Sequence, residues 1–296
     1  MKYVKSFFEA LLFVLVFLGI QLLVSVVVTV ISWSDAENVV ALIQQAMSGK
    51  AAPTTKGVVV SAVVSSVLIL IVFLYLKWSP FSRTYLRSKP WGVLAWVVVL
   101  ALGTLIPSTW LAEQIPYNIP PDTEAVIAEM LHNRWGYLAI GILAPLVEEM
   151  VFRGAILRVL LAPSKPPRGE ALVSPSGDDK RGGPFVWAAI LLSAILFGAV
   201  HGNLQQFVHA MLAGILLGWM YYRTNSIVPG VLFHWINNTT TYVIANLIPN
   251  SEHARLVEIF GGNQQSVWLA LGFSLCLMLP AIFQLWQRMK RVEDEN

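Results

Sequence analysis

Eight mostly apolar stretches, separated by short polar segments, divide this chain. They cover about residues 7–31, 58–76, 91–112, 136–161, 184–201, 205–222, 227–247 and 266–287. Roughly 20 apolar residues in a helix span the hydrocarbon of a bilayer. The pattern therefore predicts an all-α fold, a polytopic transmembrane bundle of about eight helices. The first stretch follows Lys2 and Lys5 like a signal peptide, but it is too long and no small-x-small cleavage site follows. It reads as a retained first helix. The whole chain, 1–296, reads as a single membrane domain.

The polar segments add detail. Ser34-x-x-Glu37 reads as a capping box. Val39, Val40, Ile43 and Met47 then form one stripe, the pattern of a short helix lying on the membrane surface. Asp122, after two prolines, is placed to cap another short helix ending near Met130. Residues 163–183 are rich in Pro, Gly, Ser and charge and read as a disordered cytoplasmic loop. Gly214-x-x-x-Gly218 allows close helix packing.

Composition agrees with the pattern. Of 296 residues, 56% are hydrophobic and 12% charged, and mean hydropathy is +0.65. Soluble domains carry about 25% charge. The pI near 9.0 does not point to nucleic acid, because the basic residues sit in short loops, where they set orientation. With the N-terminus inside, 15 of the 20 Lys and Arg fall on the inner side and 4 outside, with Arg153 inside the fourth helix. That bias predicts N-in and C-in. Cys276 is the only cysteine, so neither a disulfide framework nor a cysteine metal cluster is expected.

Charge inside the fourth apolar stretch changes the picture most. Ala144-Pro-Leu-Val-Glu-Glu-Met-Val-Phe-Arg153 holds two adjacent carboxylates. One charge at mid-bilayer costs about 3 kcal/mol on insertion scales, so such groups face a protein interior or a wet cavity. Glu149 and Arg153, four apart, share a helix face and can pair, whereas Glu148 lies about 100° away. Pro145 removes one backbone hydrogen bond and favours a local opening just before the acids. His201 closes the fifth stretch, and His234 and Asn238, four apart, share a face of the seventh. His209 reads as a packing residue.

Two histidines, two glutamates and an asparagine in so apolar a chain suffice for amide hydrolysis. Desolvation makes a carboxylate a better base, histidine orients water, and His and Asn donate to an oxyanion. Glu148, His201 and His234 equally form a three-ligand zinc set with one open position. Spacing leaves both mechanisms open. A non-catalytic immunity or scaffold protein of the same fold is an alternative. A proton-coupled transporter is another, although no repeat pair with interrupted helices is evident.

Glu148-Glu149-x-x-x-Arg153, Phe197-x-x-x-His201 and His234-x-x-x-Asn238 resemble, in order and type, the three motifs of the CPBP intramembrane proteases. That family includes type II CAAX prenyl endopeptidases and bacteriocin-processing and immunity proteins. The resemblance covers residues 136–247, a catalytic helix core, and leaves 1–112 as variable N-terminal helices. It implies an intramembrane endopeptidase acting on a peptide or protein substrate. Glu148 would activate water, His201 assist it, His234 and Asn238 stabilise the oxyanion, and Glu149 with Arg153 support the site. The family is often labelled metalloprotease, and a metal-independent glutamate mechanism is also proposed for it. The expected partner is the lipid bilayer, and the expected place is a bacterial cell (inner) membrane. The motif also sets a depth requirement. His201 lies near the outer end of its stretch and His234 about seven residues from the inner end of its own. The His201-Gly-Asn203 turn must therefore sit midway in the bundle.

Overall fold

The computed structural model describes residues 2–34, 54–79, 84–116, 121–164, 184–248, 251 and 254–289. Every apolar stretch is a helix. These are α1 (Lys2–Ser34), α2 (Thr55–Tyr75), α3 (Trp91–Ala112), α4 (134–161), α5 (Pro184–Ala199), α6 (Leu204–Thr224), α7 (Val228–Leu247) and α8 (Gln264–Arg288). Between them lie the short helices Thr84–Arg87, Pro121–Leu131 and Leu256–Ile259. The second includes the expected helix ending near Met130. The stripe after Ser34 and loop residues 165–183 lie outside the described residues, as does the Asp122 side chain.

Four helices, α1, α2, α3 and α8, are long and apolar enough to cross a membrane. Large apolar residues such as Leu22, Leu23, Ile71, Leu269 and Phe273 are exposed on them. In water such surfaces would mark association sites, whereas lipid solvates them directly. The α3–α8 contact is close at Gly103, where a Cβ would meet the Met278 backbone nitrogen at 2.9 Å.

The core is built round α4. This helix runs through five consecutive segments: Arg134–Gly136, Tyr137–Leu143, Ala144–Glu149, Met150–Leu157 and Arg158–Leu161. The second and fourth are π-helical. Widened turns of this kind are rare and favour functional sites. The first is the opening foreseen from Pro145, which sits in the opening turn of the Ala144–Glu149 segment and has no N–H to give. All eight residues of Met150–Leu157 are buried. Phe17 of α1 packs edge-on to Phe152 at 5.7 Å between ring centroids.

α5 and α6 form an antiparallel hairpin. Its turn contains His201, and Gly202 adopts φ +74°, a conformation glycine takes at little cost. Asn203 then caps α6 by accepting from the Gln206 backbone N–H at 2.8 Å. The Gly214-x-x-x-Gly218 pair faces α5. A Cβ on Gly214 would meet Ala194 at 3.0 Å, and one on Gly218 would meet Ile190 at 3.0 Å. α7 packs against α3, α6 and the first half of α4, which brings its polar face to the two glutamates.

Candidate active site

The two neighbouring glutamates have different surroundings. Glu149 is 0% exposed and Arg153 1%. Arg153 Nη1 donates to Glu149 Oε1 at 2.7 Å, one helical turn away. Its Nη2 donates to the Gly214 carbonyl at 3.3 Å, and its guanidinium lies 4.4 Å over the Phe197 ring. A buried ion pair repays its desolvation only with such extra contacts. Glu148, one residue earlier, keeps 20% of its side chain exposed and lies against His234, with Arg153 in electrostatic reach but paired to Glu149 instead.

His234 stands between them. Its Nε2 is 3.9 Å from Glu148 Oε2, and its Nδ1 is 3.5 Å from Glu149 Oε1. The second distance is a charge contact rather than an aligned hydrogen bond, and Nδ1 has no hydrogen-bond partner among the described residues.

His201 is fixed from its own helix. Its Nδ1 lies 2.8 Å from the Phe197 carbonyl. A carbonyl only accepts, so Nδ1 carries the hydrogen and Nε2 is the free nitrogen. The Phe197 ring packs edge-on to both imidazoles, with centroids 5.1 Å from His201 and 5.9 Å from His234. The turn bearing His201 therefore sits beside the α7 face that carries His234, as the depth requirement demands. Half-buried His209 is within electrostatic reach of both histidines.

Asn238 donates through Nδ2 to the Ile140 carbonyl at 2.9 Å. Ile140 belongs to the first π segment, so Asn238 ties α7 to the widened turn. Nearby, Tyr137 Oη is 3.2 Å from Thr239 Oγ1 and accepts from Trp235 Nε1 at 3.3 Å.

The foreseen zinc set does not fit this arrangement. No group of three His, Cys, Asp or Glu among the described residues is placed to hold an ion. Glu148 and His234 approach each other at 3.9 Å, but His201 is not close enough to both to complete a set of three.

Two glycines contribute that the motifs do not name. A Cβ on Gly230 would meet Glu149 Oε2 at 2.6 Å, and one on Gly214 would meet Arg153 Nη2 at 3.1 Å. The ion pair is thus enclosed by two helices that approach because they lack side chains there. Gly230 precedes His234 by four residues, one turn on the same face, and that spacing is its signal in the sequence. Gly230→Ala is expected to destabilise the fold by about 1–3 kcal/mol through overpacking, and to lower activity by moving His234 outward. Thermal unfolding in detergent checks the first effect, and turnover of the folded fraction checks the second.

With the geometry in place, the comparison with known families bears on the helices that carry the motifs. Residues 131–240 match the family model described as type II CAAX prenyl endopeptidase Rce1-like. Residues 131–240 form an Rce1-like domain. The domain takes in α4 to most of α7 and so holds all three motifs. It agrees with the CPBP resemblance, and at family level it is CAAX-protease-like and belongs to an integral membrane protein. Comparisons with curated proteins and with solved structures give no match.

Proposed function

We propose that the protein is an intramembrane endopeptidase that hydrolyses a peptide bond near the membrane with water activated by Glu148. One observation carries this reading. Of two adjacent glutamates, one is sealed against an arginine, and the other is partly exposed beside a histidine. A half-buried carboxylate without a cationic lock is free to take a proton from water.

In this reading Glu148 accepts a water proton while the water oxygen attacks the scissile carbonyl carbon. His201 Nε2 orients that water. The second amide hydrogen of Asn238 stabilises the oxyanion of the tetrahedral intermediate, and His234 joins it once its ring is protonated. Collapse breaks the C–N bond, and the leaving amine takes up the proton. The Rce1-like domain supports a substrate presented at the membrane, with a prenylated C-terminal peptide as the first candidate.

Purified protein in lipid is offered labelled prenylated and unprenylated peptides. A single turnover in ¹⁸O-water is expected to place one ¹⁸O in the new carboxylate, and chelator is expected to leave cleavage intact. An unlabelled carboxylate would mean an acyl intermediate on the enzyme and would overturn direct attack by water.

A further inference from the structure

Glu149 has more contacts than a structural ion pair requires. Its Oε1 is shared between Arg153 Nη1 at 2.7 Å and the His234 ring at 3.5 Å. The salt bridge to Arg153 makes this carboxylate an acceptor. Both ring nitrogens face a carboxylate, and Nδ1 is the nearer of the two to its partner, so the hydrogen of the neutral ring is assigned to Nδ1. The opposite nitrogen, Nε2, is left facing Glu148 Oε2 at 3.9 Å. Only 14% of the His234 side chain is exposed, so the imidazole lies between two carboxylates with one edge towards each. Hydrogen bonds at a catalytic site are often long without substrate and tighten when it binds.

We propose that Glu149 is a positioning residue for His234, and that His234 so held relays the proton from Glu148 to the leaving amine. The inference rests on the hydrolytic reading above and assigns its proton path. A neutral imidazole with its Nδ1 hydrogen turned inward presents a lone pair at Nε2. It cannot donate to the oxyanion at the outset, so Asn238 provides the first such bond. The water proton passes to Glu148 as the C–O bond forms, then from Glu148 to His234 Nε2. Glu149 balances the imidazolium, as the carboxylate of a Ser-His-Asp triad balances its histidine. The Nε2 hydrogen then goes to the amide nitrogen as the C–N bond breaks. The products are a carboxylic acid and an amine, the acid then gives its proton to the amine, and His234 and Glu148 return to their starting states. Arg153 extends the arrangement, because its guanidinium also lies against the Phe197 ring that packs on both histidines.

The test is dependence on the leaving group. An amide nitrogen must be protonated to depart, whereas an ester oxygen departs with far less help. Two labelled prenylated peptides are compared, identical except that the scissile NH is replaced by O. Glu149→Gln is expected to lower kcat on the amide by about 100-fold or more, the usual worth of a general acid, with KM unchanged. On the ester the expected loss is below about tenfold on the same reasoning. Should Glu149→Gln fail to fold, His234→Gln carries the same comparison from a partly exposed position. Equal losses on both substrates, with Glu148→Gln inactive on both, would overturn the relay and leave the hydrolytic reading standing. Undiminished cleavage by Glu148→Gln would overturn the hydrolytic reading itself.

Discussion

Glu148→Gln is expected to lower kcat for peptide cleavage by about 10³-fold or more while the protein remains folded. General base catalysis is worth about 10²–10⁴-fold, and each tenfold corresponds to about 1.4 kcal/mol of barrier. The substitution keeps size and shape but removes the acceptor for the water proton. Glu148 is partly exposed and Arg153 pairs with Glu149 instead, so the loss should fall on catalysis and not on stability. Matched thermal unfolding of variant and wild type, beside single-turnover cleavage, checks both halves. A variant that cuts at the wild-type rate would remove Glu148 from the mechanism.

Arg153→Met is expected to act in the opposite way. It leaves the Glu149 carboxylate at 0% exposure without its cation. Breaking a buried pair from one side costs about 3–5 kcal/mol, because the remaining charge is uncompensated. A large fall in unfolding temperature in detergent is the expected outcome. Removing both charges in Glu149→Leu with Arg153→Met should restore most of the lost stability, since an apolar pair of similar volume often replaces an ion pair at no net cost. The restored protein should still cleave amides poorly, because His234 has lost its facing carboxylate. Full activity in the double variant would reduce Glu149 and Arg153 to a packing device.

Much of this was legible in the sequence, for identifiable reasons. Long apolar runs in a chain this poor in charge leave helices as the simplest solution, and each run is helical among the described residues. Glu149 and Arg153 are one turn apart, so their pairing follows from helical geometry. What was not legible depends on how helices rotate against one another. That His234 faces both glutamates follows from the approach of α7 to α4, which Gly230 permits. The contact of Asn238 with Ile140 arises because a widened turn offers a carbonyl at that height. Spacing shows only that Glu148, His201 and His234 can meet; how closely the three approach depends on the packing of α5 and α7 against α4, which spacing does not describe.

The widened turns of α4 carry one further consequence. A π turn holds one residue more than an α turn over nearly the same length. The extra residue is absorbed between residues 137 and 143, and the chain beyond keeps the angular phase of a helix one residue shorter. Relaxing the segment to α-helix with no residue removed would twist everything beyond it by about 100°. That is the angle between neighbouring side chains. The slip would carry one glutamate towards the bearing the other now holds, with every residue type unchanged. In this protein the widened turn before the acids is as much a part of the site as the acids are.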